Sequence, residues 1–194
     1  MDMARRESPK DGYLTGKLLV AMPQLGDSRF HKAVIFICAH DENGAMGLVV
    51  NHILPGLELH SLLDQLSIEG SIKNADMPVM SGGPVETARG FILHQGGFRQ
   101  IESLEIESNI YVTGTIDALK AIARGDGPER MLFILGYAGW TAGQLDHELQ
   151  DNAWLVTDAD PSVIFEGDPE ERWDRAIRKI GIDPLMLSGT AGRA

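Results

Sequence analysis

Two apolar runs, residues 33–39 and 46–51, are separated by the polar turn Asp41-Glu42-Asn43-Gly44, and they constrain the fold more than any other feature of the chain. Rich in Val, Ile and Phe and joined by an Asn-Gly turn signal, they read as a β-hairpin. Nearly every position in both is apolar. A strand solvated on one face alternates, so these two must be covered on both faces. A third apolar strand, 17–22, precedes them. Leu59, Leu62, Leu63 and Leu66 then fall at i, i+3, i+4 and i+7, the stripe of an amphipathic helix expected to pack over the hairpin.

Further along, residues 78–80, 90–95 and 109–113 read as shorter strands between glycine-bearing turns. A second helix follows, capped by Thr115, with Ile116, Leu119 and Ala123 on one face and Gly125 at its left-handed end. Residues 131–137 form the most uniformly apolar strand and belong near the sheet centre; 153–157 return as a strand, and 163–165 read as a short one. Thr141 and Gln144 have capping-box spacing for a helix that buries Leu145 and Leu149. The last helix has Asp168 as cap, Pro169 at its first position, Trp173, Ile177 and Ile180 inward, and Gly181 at its end. Hairpins mixed with crossovers point to an α+β chain.

A chain of 194 residues with 43% apolar and 23% charged residues is large enough for one core. The expected organisation is one domain over residues 13–194 behind a polar, flexible segment at 1–12. No apolar run approaches the roughly 20 residues that span a bilayer, and no apolar signal-peptide core follows the charged start. A lone cysteine, Cys38, forms no internal disulfide, in keeping with a reducing compartment, so the expected location is cytoplasmic. The formal net charge of −11 argues against nucleic-acid binding, which draws its affinity from clustered Lys and Arg. The local basic group Arg172, Arg175, Arg178 and Lys179 is interleaved with Glu170, Glu171 and Asp174 and reads as a solvated helix face carrying i,i+3 and i,i+4 ion pairs.

Three places could carry chemistry. The segment Gly136-Tyr137-Ala138-Gly139-Trp140-Thr141-Ala142-Gly143 reads as a turn leaving a buried strand and opening the helix at Gln144, where backbone N–H groups would favour an anion; it also suits a plain strand-to-helix connection with Trp140 in the core. Ser81-Gly82-Gly83-Pro84 could form an anion-accepting nest with His94 on the next strand as a proton carrier, or a tight turn beside a hydrogen-bonded histidine. Cys38 and His40, two apart on one strand face, could pair as a redox or nucleophilic thiolate, although Cys38 within Phe36-Ile37-Cys38-Ala39 equally suits a small buried hydrophobe. The neighbours His40, Asp41 and Glu42, and Asp146, His147 and Glu148, lack helical ligand spacing, so no metal and no cofactor is expected. Glu105 and Glu107 read as a solvated strand face, and no nucleophile elbow is present.

Met22-Pro23-Gln24-Leu25-Gly26-Asp27-Ser28-Arg29-Phe30, Ser81-Gly82-Gly83-Pro84-Val85, His94 and Gly139-Trp140-Thr141-Ala142-Gly143-Gln144-Leu145 together resemble the bacterial YqgE/AlgH family over roughly residues 16–191. The resemblance implies a mixed, bifurcated or partly barrel-like β-sheet flanked by about four helices, and brings no reaction with it. With two glycine segments and no catalytic constellation, the leading expectation is a non-enzymatic binding or regulatory module for an anionic small molecule or a protein partner. The alternatives are an enzyme or thiol sensor using His94 or Cys38 and His40, and a transcriptional role suggested by the resemblance. The acidic balance would route that last role through a protein rather than through DNA.

Overall fold

The computed structural model describes residues 12–70, 72, 76–98, 102–114 and 116–187. Residues 1–11 of the segment expected to be flexible, and the expected cap Thr115, lie outside the described residues. The strands are β1 (Lys17–Ala21), β2 (Val34–Asp41), β3 (Gly44–Val49), β4 (Ile53–Glu58), β5 (Pro78–Ser81), β6 (Val85–Gln95), β7 (Leu104–Glu107), β8 (Ile110–Thr113), β9 (Met131–Thr141) and β10 (Trp154–Asp158). They form a sheet curled into a half-barrel, in the order β10-β1-β2-β3-β9-β6-β8-β7, with β5 on β9 and β4 on β5. Every pairing is antiparallel except β5 on β9.

The β2–β3 hairpin turns at Glu42-Asn43, where the Asn43 N–H donates to the Asp41 carboxylate at 2.7 Å, a local turn that an aspartate side chain supplies readily. Val34 to Cys38 are all buried, as uninterrupted apolarity demands, and alternate residues serve two different cores. Val34, Phe36 and Cys38 face one core together with Leu18, Val20 and Leu48. Ile35 and Ile37 face another with Leu19, Val49, Trp140 and Trp154.

Six short helices flank the sheet among the described residues: α1 (Leu59–Gln65), α2 (Ile116–Ala123), α3 (Gln144–Gln150), α4 (Pro161–Phe165), α5 (Arg172–Lys179) and α6 (Pro184–Leu187). The helix expected over the hairpin packs elsewhere. Leu59 and Leu63 of α1 join a third core with α2, Val79, Ile92 and Phe133, because β4 and α1 run directly into the β5 pairing; burying each leucine contributes about 1.5–3 kcal/mol. The hairpin is covered instead by Val163 and Ile164 of α4 and by Trp173, Ala176 and Ile177 of α5. Residues 163–165, expected as a strand, are helical because Asp160 caps the Ser162 N–H at 2.9 Å and Pro161 occupies the first position. The cap at Asp168 forms as expected, accepting from the Glu170 N–H at 2.9 Å ahead of α5.

Strand β9 is the axis of the molecule. Its first half pairs with β5 and β6 and its second half with β3, so one strand belongs to both arms of the sheet. Leu132 and Ile134, Met131 and Phe133, and Ala138 and Trp140 enter the three cores in turn. The turn expected over residues 136–143 is therefore strand as far as Thr141; the chain turns only at Ala142-Gly143. Where β9 passes between the arms, Gly136 takes φ +77° and Gly83 φ +149°. A Cβ on Gly83 would lie 2.2 Å from the Tyr137 carbonyl carbon, and one on Gly136 would lie 2.6 Å from the Gly83 oxygen. Only glycine permits both the backbone conformation and this approach. The two glycine segments converge as the crossing point of the sheet.

Candidate functional site

The residues singled out in the sequence separate into structural units. Gly82 is buried against Gly136, donates its N–H to the Leu135 carbonyl at 2.8 Å and accepts from Val49 at 3.0 Å, so this backbone donor is spent inside the sheet. Gly139, Trp140 and Thr141 lie in the ladder opposite Met46, Ala45 and Gly44. The following helix, α3, is capped by Gly143 in the left-handed conformation, and Thr141 caps only in reverse, its N–H donating to the Gln144 amide oxygen at 3.0 Å. Trp140 is buried and donates to Glu148.

His94 pairs with Met131 at the far end of β9 from Trp140, and the nine residue steps from Met131 to Trp140 span up to about 30 Å at strand rise. The two do not form one site. The His94 ring is sealed, with 0% exposure, stacked on Tyr111 at 5.6 Å and edge-on to Phe98 at 5.4 Å. Its Nδ1–H donates to the Gln95 carbonyl at 3.0 Å, so Nε2 of the neutral ring accepts from the Thr113 hydroxyl at 2.9 Å, which in turn lies 2.7 Å from Ser103 Oγ. Burial pushes its pKa down and keeps the ring neutral.

Cys38 and His40 do not pair either. Cys38 lies at a bulge in β2, its thiol directed at the Phe36 carbonyl at 3.8 Å, and burial pushes its pKa up to about 12. His40 accepts from the Leu14 N–H at 3.1 Å and stands edge-on to Tyr13. The basic group on α5 is a solvated face only in part: Arg178 is exposed, whereas the other three are tied into the fold. Arg172 is buried, donates Nη1 to the Val50 carbonyl and leaves Nε without a partner; burial lowers its pKa to about 10. Arg175 clamps the Glu166 and Ser162 carbonyls at 2.6 and 2.7 Å, and Lys179 reaches Asp160 at 2.9 Å. These are tertiary ties that helical spacing cannot reveal.

A cleft absent from the sequence reading opens beside α1. It encloses about 470 Å³ and is lined by His60, Leu63, Asp64, Ser67, Ile68, Glu69, Gly70 and Ile72. Leu63, Ile68 and Ile72 supply the apolar wall, while His60, Asp64, Ser67 and Glu69 supply polar groups, the mixture and size of a small-molecule site. At its edge, Glu58, His60 and Asp76 bring ligand-type atoms within 4.8 Å of one another. The backbone builds this trio. Glu58 pairs with Pro78 across β4 and β5, and the Leu59 N–H donates to the Met77 carbonyl at 2.9 Å, drawing Asp76 alongside. Glu58 and His60 sit two apart, which was legible as a Glu-x-His pair; the distant Asp76 required the strand register.

The family model described as DUF179, AlgH-like, matches residues 18–185. A UPF0301 protein of Bradyrhizobium sp. strain BTAi1 is 51% identical over 193 residues, covering 94% of this chain and 88% of the relative. A second UPF0301 protein, from Rhizorhabdus wittichii, is 50% identical over 181 residues, covering 93% and 97%. The solution structure of the AlgH protein from Pseudomonas aeruginosa superposes with a TM-score of 0.76 at 42% identity, covering 98% of this chain and all of that one. A crystal structure from Corynebacterium diphtheriae, 18% identical with a TM-score of 0.70 over 90% of this chain and 89% of its own, shares the fold.

Proposed function

The chain belongs to the AlgH-like family, and from that premise we propose that it is a non-enzymatic small-molecule-binding module whose ligand occupies the cleft beside α1. The observation that carries this reading is a contrast. The groups most able to do chemistry, Cys38, His40 and His94, are spent on internal contacts, whereas the cleft presents polar groups on an apolar floor to solvent. Asp64 and Glu69 favour cationic or hydroxyl groups on the ligand, and Leu63, Ile68 and Ile72 favour an apolar portion. No helix among the described residues is long and apolar enough to cross a membrane. A cytoplasmic regulatory role, exerted through occupancy of the cleft, is consistent with the single buried cysteine and with the acidic charge that disfavours DNA.

A thermal-shift screen against amines, polyols, amino acids, nucleotides and carboxylates tests the reading. A ligand at 100 times its dissociation constant adds about 2.7 kcal/mol. Asp64→Asn with Glu69→Gln should weaken the shift without lowering the melting temperature of the free protein. A blank screen overturns small-molecule recognition in favour of a protein partner.

A further inference from the structure

We propose that Glu58, His60 and Asp76 form a binding site for a divalent metal ion of the zinc class. One imidazole and two carboxylates are a borderline donor set, suited to zinc rather than to calcium or magnesium, which take oxygen alone. The three ligand atoms already lie within 4.8 Å of one another, and bonds of about 2.0–2.2 Å require about 3.3–3.6 Å between ligands of a tetrahedral ion. All three side chains are exposed, so small rotamer changes close the difference without disturbing the core. Their backbones need not move, being fixed by the Glu58–Pro78 pairing and the Leu59–Met77 hydrogen bond.

The charge balance points the same way. Among the described residues neither Glu58 nor Asp76 has a Lys or Arg within ion-pair distance; Glu58 faces His60, with its carboxylate 3.2 Å from Nδ1. Two carboxylates drawn together by strand register repel one another, and a divalent ion converts that repulsion into coordination. Three protein ligands leave a fourth position open. His60 also lines the cleft, so that position lies beside the ligand space. Resting on the cleft reading of the preceding section, the metal's open position takes water or a carboxylate or phosphate oxygen of the cleft ligand. This gives an otherwise acidic cleft a place for an anionic group.

Isothermal titration with zinc chloride alone, on the full chain freed of metal by chelation, tests the site directly. One equivalent should bind, and His60→Ala, Glu58→Gln and Asp76→Asn should each weaken binding at least tenfold while leaving the metal-free melting temperature unchanged. His147→Ala, an exposed histidine on α3, should bind as the parent does. Zinc binding that survives all three substitutions, or is absent from the parent, overturns the proposal. Cleft ligands that bind equally well with and without chelator would leave the cleft reading standing and remove the metal from it. A cleft that binds nothing while zinc still binds through the trio would do the reverse.

Discussion

Trp140 and Trp154 donate their indole N–H groups to the same oxygen, Oε2 of Glu148, at 2.6 and 3.0 Å, with the two rings edge-to-face at 6.1 Å. One carboxylate on α3 thus satisfies two buried aromatic donors from strands β9 and β10. Removing it strands both. Glu148→Ala should lower stability by about 2–4 kcal/mol, since each buried donor left unpaired costs about 1–3 kcal/mol. Glu148→Gln, which keeps an acceptor oxygen, should cost less than half as much. Urea denaturation of the two variants checks the order, and equal losses would contradict the shared-acceptor account.

The sheet crossing makes a sharper demand on glycine. Gly136→Ala places a Cβ 2.6 Å from the Gly83 oxygen at φ +77°. Overpacking of about 1–3 kcal/mol adds to about 1–2 kcal/mol for the left-handed backbone. Gly143→Ala, also left-handed at φ +74° but with no neighbour within 4 Å, should incur only the backbone part. Chemical denaturation separates them, and similar losses would show that the crossing is not tightly packed.

Cys38 should resist a thiol reagent in the native protein and react fully on unfolding, because its thiol is buried and its pKa is raised to about 12. A pH dependence follows with a definite sign. The folded pKa lies above the ordinary value of 9.0, so this stabilisation is whole below pH 9 and is lost as pH rises towards 12. Cys38→Ala should flatten the alkaline limb of the stability profile. Rapid native labelling near neutral pH would contradict the assignment.

At acid pH the sealed histidine acts in the opposite direction. Burial lowers the pKa of His94 below 6.5, so its contribution to stability is present above pH 6.5 and is lost as pH falls through the folded value. His52, lowered for the same reason, shares this window, while Asp160, held at about 2 mainly by Lys179 and Ser162, acts only below its ordinary 3.8. His94→Gln should reduce the slope of stability between pH 6.5 and 5. NMR titration of the ring should find it neutral at pH 6.5, and a ring mostly protonated there would contradict the buried-neutral account.

What the sequence made legible were features with local causes. Continuous apolarity in residues 33–39 announced a strand buried on both faces as far as Cys38, the leucine stripe announced α1, and Asp168-Pro169 announced the start of the helical segment that runs into α5. What it hid depends on long-range register. Glycines 136, 139 and 143 look like a turn because glycine ordinarily breaks strands; here Gly136 marks a strand crossing and the chain runs on to Thr141. Arg172 looked solvated because its acceptor, the Val50 carbonyl, lies 122 residues away. The cleft and the trio beside it escaped notice because Asp76 meets Glu58 only through the pairing of β4 with β5.

Recognition in the cleft beside α1, rather than at the glycine segments, leaves a distinct footprint on the backbone amides. Amide chemical-shift mapping of the isotope-labelled protein against a fragment library tests it most directly. Binders should perturb residues 58–72 and 76, with Gly82, Gly83 and residues 139–144 unmoved. Perturbations centred on those glycine segments, or no binder at all, would contradict it.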